Sequence, residues 1–405
     1  WGGEQMDNIS FPQVMAYHLH RDGVRFEDVG YNYGNVRRSA DYVARNGPDS
    51  AQERWEEEAG YSPSTLASEI AGLTCASSLA ADTGHDADAL VWQALADNWA
   101  DRVEDWTATD EGTERHTNTP YYVRVTRDGE PDAGYLRTLA NNGPTLDERD
   151  VIDAGFLDLV RLGIRPADDE VVRNSVREVD DTIRVDVGSA AGFYRYNGDG
   201  YGELEQDDKG APWSMEHSGK GRLWPLLTGE RGEYELLAGE PTLGAEDCLR
   251  TMQEFANTGR MIAEQVWDRE FKTEYDWEFG EGTGSATPLA WAMAQYVRLA
   301  HGVDAGEPVE TPEIVRERYR ERAVHEQEGP ALRVDTRLLG NSLAVSGETT
   351  GERVAVKTPV DSMVLPVEDG EFDGTLDVEH GENQVIVAAA DDEDVGSANT
   401  TVRRL

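Results

Sequence analysis

From Ser10 to about Ala300, apolar residues return every three or four positions with turn residues between the runs. That spacing predicts consecutive helical hairpins. Helices are expected near 10–21, 33–46, 63–83, 86–105, 146–162, 168–183, 244–259 and 286–301. The third is the best defined. Ser62 can cap it, Pro63 suits the first turn, Leu66, Ile70 and Leu73 line one face, and Gly84 ends it. Two stretches, 107–143 and 186–242, read as long loops, the second rich in Gly, Tyr, Trp and Asp. Loops of that length inside a compact domain tend to carry function.

After Pro312 a charged helix is expected over 312–325, and then the period shortens to two. Leu343-Ala344-Val345, Val354-Ala355-Val356, Phe372 to Val378 and Val385-Ile386-Val387 alternate between turn signals of Gly, Asn and Asp. This reads as an antiparallel β-sandwich. The change of texture places a boundary near residue 328, dividing a helical domain over 1–327 from a sandwich over 328–405.

With 405 residues, 10 Trp, 15 Tyr and 38% hydrophobic positions, the chain can bury a sizeable core. Acidic residues number 80 against 37 basic, a net charge of -43, and there are four lysines, Lys209, Lys220, Lys272 and Lys357. Such a surface repels nucleic acid and anionic membranes. Its self-repulsion is screened over roughly 10 Å at 0.1 M salt and about 3 Å at 1 M. The charge therefore reads as adaptation to high salt, and an uncharged substrate suits it. Cys75 and Cys248 fit neither a disulfide framework nor a paired metal spacing. No run reaches the roughly 18 apolar residues of a membrane span, so no transmembrane segment is expected. No leader is visible, and the sequence opens at Trp1 without Met, so an export signal upstream is compatible with it. Extracellular or cell-surface placement is expected, with the cytoplasm of a salt-accumulating halophile as the alternative. Oligomeric state is not legible.

The chemistry concentrates in Gln52-Glu53-Arg54-Trp55-Glu56-Glu57-Glu58, followed by Gly60-Tyr61-Ser62-Pro63-Ser64-Thr65. A carboxyl group packed on indole loses hydration, and its raised pKa suits it to donate a proton near neutral pH. Glu56 is thus a candidate general acid, although an acidic lead-in to a helix is the commoner meaning of such a run. A second carboxylate, Glu264, ends a helix in Met261-Ile262-Ala263-Glu264-Gln265-Val266-Trp267-Asp268 before a Trp-rich loop. Two glutamates on separate loops, each flanked by Trp, suit glycoside hydrolysis. One protonates the leaving oxygen, and the other activates water on the opposite face across roughly 6.5 to 9.5 Å, which inverts the anomeric centre.

These motifs, with GKGRLWPLLTGERGEYE over 219–235 and GSATPLAWAMAQY over 284–296, together resemble prokaryotic glucoamylases and glucodextranases of glycoside hydrolase family 15. The resemblance implies a mainly α fold, an (α/α)6 barrel of six hairpins, partial here with the first hairpins absent, followed by a small all-β immunoglobulin-like sandwich. It implies release of glucose from the non-reducing ends of α-glucans with inversion, Glu56 being the acid and Glu264 the base. Glu57 is similar to a residue that hydrogen-bonds sugar hydroxyls. Trp1 looks like the aromatic beside the acid, Trp55 and Trp291 like site-wall aromatics, and Arg195 like the substrate-binding arginine with Trp224 nearby. Indole faces and charged bidentate partners suit sugars independently of any resemblance.

The sequence departs from the family pattern at Ala263, where relatives often carry proline, and at Asn8, where an acid is common. An Arg-Asp pair that grips the terminal glucose in relatives has no counterpart. Glucodextranase or trehalase activity of the same family, or a non-catalytic remnant that still binds polysaccharide, are the alternatives. The sandwich is expected to brace the barrel. No cofactor or catalytic metal is expected, with a structural calcium ion left open. Asn197-Gly198-Asp199-Gly200 lacks the later acidic positions of a calcium loop and reads as a turn in a substrate loop. His18 and His20 point to different faces of one helix and do not form a metal pair.

Overall fold

The computed structural model describes residues 3–25, 32–204, 209–214, 219–239, 241–392 and 395–405. Its helices are α1 (Met6–Arg21), α2 (Tyr33–Asn46), α3 (Pro63–Asp82), α4 (Asp86–Ala100), α5 (Val103–Thr107), α6 (Leu157–Arg161), α7 (Glu170–Thr182), α8 (Pro225–Leu237), α9 (Ala245–Glu254), α10 (Ala290–Ala305) and α11 (Glu313–Arg316). α3 is buried along almost its whole length and packs on α1, α2, α4 and α6. Its small residues permit this: a Cβ at Gly72 would stand 3.1 Å from the Ser10 carbonyl oxygen of α1. α1 turns Met6, Ser10, Gln13, Val14 and Tyr17 inward, the three-and-four spacing of an amphipathic helix.

Three expected helices change. The 86–105 run breaks after Ala100 and resumes as the short α5. Of the helix expected over 146–162, only α6 forms. Here short polar side chains claim the backbone donors: Asp147 accepts from the Arg149 amide at 3.0 Å and Asp153 from the Gly155 amide at 2.7 Å. Residue 153 pairs instead with Tyr196 in an extended bridge. Conversely, α8 forms inside the stretch read as a loop over 186–242. Gly229 and Gly232 lower helix propensity there, yet the packing needs them. A Cβ at Gly229 would meet the Gln295 side chain at 2.4 Å, and one at Gly232 the Leu299 side chain at 2.7 Å. The charged helix expected over 312–325 is α11 continued by a π-helical turn at Glu317–Glu321 and a 3-10 turn at Val324–Glu326.

Short two-stranded ribbons decorate the loops: β1 (Ala108–Thr109) with β2 (Tyr121–Tyr122), β3 (Leu136–Thr138) with β4 (Thr145–Asp147), and β5 (Arg184–Val187) with β6 (Ala190–Phe193). The C-terminal strands are β7 (Leu332–Leu339), β8 (Ser342–Thr349), β9 (Arg353–Lys357), β10 (Ser362–Leu365), β11 (Glu371–Asp377), β12 (Glu382–Ala390) and β13 (Gly396–Arg404). They form two antiparallel sheets ordered β11-β8-β7 and β10-β9-β12-β13. Between the sheets lie Leu343, Val345, Val356, Phe372, Leu376, Val385 and Val387.

The second sheet is covered on its other face as well. Ala355, Ile386 and Ala388 join the helical core, and α4 lies against β9, β12 and β13. Burial on both faces explains why β12 reads as an unbroken apolar run. A Cβ at Gly396 would stand 2.8 Å from Ala94 Cα, so β13 runs directly on α4. Lys357, buried, is paired with Asp88 and, at 3.0 Å, with Asp41, its ammonium 5.2 Å from the Trp92 ring centre.

Candidate active site

The turn carrying Glu56 is closed at its base by Ser50 and Gly60, which exchange backbone hydrogen bonds at 3.1 and 3.0 Å. Inside it the Glu56 amide donates to the Glu53 carbonyl at 2.8 Å, and the Glu53 carboxylate accepts from the Trp55 amide at 2.9 Å. Glu56 is left at φ 64°. A non-glycine residue there costs roughly 1–2 kcal/mol, strain that such turns store at functional positions. Its side chain is exposed and lines a cavity of about 350 Å³ with Asn8, Arg54 and Trp291. The expected packing of this carboxyl under indole is not met among the described residues. Trp1, expected beside it, lies outside them.

Trp55, in the same turn, is buried. Its ring lies 5.3 Å from Trp224 at 64° and 5.6 Å from Trp291, and its indole N–H donates to Asp153 at 3.1 Å. Arg54 and Arg195 stack on it at 4.8 and 5.3 Å. Trp224 is buried, whereas Trp291 is 38% exposed. The structure therefore brings Trp55, Trp224, Trp291 and Arg195 together.

Glu57 sits in a cage of donors. Arg195 (2.8 Å) and Asn141 (2.6 Å) donate to Oε1, and Arg124 (2.9 Å) and the Tyr196 hydroxyl to Oε2. A carboxylate offers about four acceptor positions, so the protein itself fills them. Although burial works against its charge, Arg195, Arg124 and Tyr196 hold its pKa below the ordinary value. Arg195 in turn is gripped by Asp199 through two hydrogen bonds of 2.7 Å. The Asp199 carboxylate also accepts from the Tyr201 amide at 2.8 Å.

Glu264 lies on the segment between α9 and α10, its amide donating to the Ala286 carbonyl at 2.9 Å. The Tyr201 hydroxyl (3.3 Å) and the Gln265 amide group (3.4 Å) donate to its Oε2. Burial pushes its pKa up, and the two donors with nearby Arg195 pull back. The Tyr201 ring lies 5.0 Å from the Arg195 guanidinium. One cluster, Glu57, Arg195, Asp199 and Tyr201, thus links the neighbour of Glu56 to Glu264.

Arg124, Asn141, Tyr196 and Tyr201 are not singled out by the sequence, and Asp199 is seen there only as part of a turn in a substrate loop. Tyr196 and Asp199 adjoin Arg195 and could have been drawn in by it. Arg124 and Asn141 both sit inside the stretch 107–143 read as a loop, where no periodicity marks them. Among the described residues no group of His, Cys, Asp and Glu is arranged to hold a metal, and no helix is long and apolar enough to cross a membrane.

This geometry has known relatives. The chain is 40% identical over 320 residues to a glucoamylase of Clostridium sp. (strain G0005), covering 79% of this chain and 42% of that protein. It is similar, at 40% identity and TM-score 0.70, to a bacterial glucoamylase whose crystal structure was solved in complex with acarbose, over 79% of this chain and 44% of that one. The chain thus spans less than half the length of either relative. Residues 1–301 match the family model described as glycosyl hydrolases family 15, and on that match, with the 40% identity, the chain belongs to that family.

Proposed function

We propose that this chain carries the acid and base of an inverting exo-glucosidase of the glucoamylase type, releasing β-D-glucose from the non-reducing ends of α-glucans. The observation that carries the reading is the convergence of two distant loops on one cluster, Glu57 to Arg195 to Tyr201 to Glu264. Glu56 protonates the glycosidic oxygen, and Glu264, ionised, removes a proton from the water attacking the anomeric carbon from the opposite face. Arg195 and the indoles of Trp224 and Trp291 orient the sugar, and Trp55 supports them from behind. Glu57, its acceptor positions filled, fixes Arg195. The relative solved with acarbose supports an α-glucan as the bound class.

In this reading 1–327 is part of an (α/α)6 barrel and 328–405 an immunoglobulin-like sandwich that braces it. No cofactor takes part. The acidic surface is the mark of a protein that works in concentrated salt, outside the cell or at its surface. Glucose release from maltose, isomaltose and trehalose in molar KCl, with the anomer followed by proton NMR, tests the proposal. β-Glucose appearing first supports it, and the preferred sugar sets the linkage. α-Glucose appearing first overturns it.

A second reading, glucan binding without cleavage, is favoured by the exposure of the Glu56 side chain, which gives the proposed acid no apolar cover. Sugar binding with no hydrolysis at any salt concentration decides for it.

A further inference from the structure

Beyond Glu264 the chain runs out and back as a ribbon that the glycosidic chemistry does not use. Its arms are joined by a Val266 to Gly282 bridge, with Trp267 donating to the Glu281 carbonyl at 2.8 Å and Gly280 to the Trp267 carbonyl at 2.9 Å. The tip, 268–279, carries Phe271, Tyr275, Trp277 and Phe279. It is braced: Thr273 bonds the Trp277 carbonyl at 3.0 Å, and its hydroxyl accepts from the Tyr275 and Trp277 amides, each at 3.2 Å.

The four rings are not equally available. Phe271 is capped by the Lys209 ammonium at 4.6 Å and meets buried Trp267 edge-on at 5.6 Å. Trp277 is partly covered by Tyr275, stacked at 5.4 Å and 23°. Tyr275 and Phe279 are 40% and 38% exposed. Around them stand exposed carboxylates, Glu274, Asp276 and Glu278, the last two paired with Lys272.

We infer that this tip, through Tyr275 and Phe279, is a platform for part of an α-glucan chain beyond the glucose unit being cut. Three observations support that occupant. The ribbon continues directly from the segment that carries Glu264, so the platform adjoins the proposed site along the chain. Aromatic faces beside carboxylates match a ligand with apolar ring faces and hydroxyl donors. A neutral polymer is also a partner that a chain of net charge -43 does not repel. The ligand class rests on the proposed glycosidase reading.

The test is fluorescence titration of the whole chain with maltose and with maltoheptaose in molar KCl, comparing wild type, Phe279→Ala and the Tyr275→Ala/Phe279→Ala double variant. Circular dichroism checks the fold, and the single variant serves if the double one unfolds. The expected result is an affinity for maltoheptaose weakened about tenfold, as loss of aromatic stacking implies, with maltose unaffected. Equal losses for both sugars, or no loss for either, overturn the platform. A wild-type chain that binds neither sugar overturns the glycosidase reading, and the platform with it.

Discussion

The Tyr201 hydroxyl donates to a Glu264 carboxylate oxygen at 3.3 Å while the Tyr201 ring lies against Arg195. Other charged groups near Glu264 are Arg195, which favours its ionised form, and Asp199 and Glu203, which oppose it. Since the hydroxyl bonds the charged form of the proposed base, its loss raises the Glu264 pKa. Tyr201→Phe should therefore move the acid limb of the pH–rate profile to higher pH and lower kcat about tenfold, a fraction of what general base catalysis supplies. An unmoved acid limb would show that the contact does not tune the base.

Glu56→Gln and Glu264→Gln should each reduce glucose release by roughly 10²–10⁴-fold, the range for loss of a general acid or base. Acarbose affinity, measured by calorimetry, should persist in both, because neither side chain anchors the indole wall. Full turnover in Glu264→Gln would reassign the base.

Asp7, buried near the start of α1, has its pKa pushed up to about 6, chiefly by burial. The folded state thus holds this proton more tightly than the unfolded chain. That contribution to stability is complete below about pH 4, where the unfolded group also protonates, and is lost as pH rises through 6. Asp7→Asn should then stabilise the protein at pH 7 by on the order of 2–3 kcal/mol and leave it unchanged near pH 3. Thermal unfolding at the two pH values checks this, and equal melting shifts at both would contradict it.

Lys357 places its buried ammonium between buried Asp88 and partly buried Asp41, while Arg37 approaches the same two carboxylates from the half-exposed side at 3.2 and 3.7 Å. Lys357→Met leaves Asp41 and Asp88 without that countercharge, and stability should fall by about 3–5 kcal/mol. Asp41→Asn in the same background should recover part of the loss. Denaturant melts of the single and double variants measure both effects.

How much was legible in the sequence follows from where backbone and packing agree. α3 announced itself through its first-turn proline and its apolar face, and its expected and observed bounds differ by one residue, although the Ser62 hydroxyl turns to Ser64 at 3.1 Å and makes no cap. α8 did not, because Gly229 and Gly232 weaken the local signal while serving close contact with α10, which only the folded chain reveals. Glu56 and Glu264 stand out in the sequence as candidates because motif and chemistry coincide in them. The cage around Glu57 draws on residues 124, 141, 195 and 196, a convergence that no linear spacing encodes.

A strand clad on both sides, as β12 is, cannot be traded as a cassette. Grafted elsewhere, these strands would present a greasy exterior, and cut away from them α4 would lose its cover along one flank. Recombination that shuffles sugar-active enzymes at their domain joints would fail at this one. The helices and the sheet that covers α4 are expected to be inherited, and purified, as a pair.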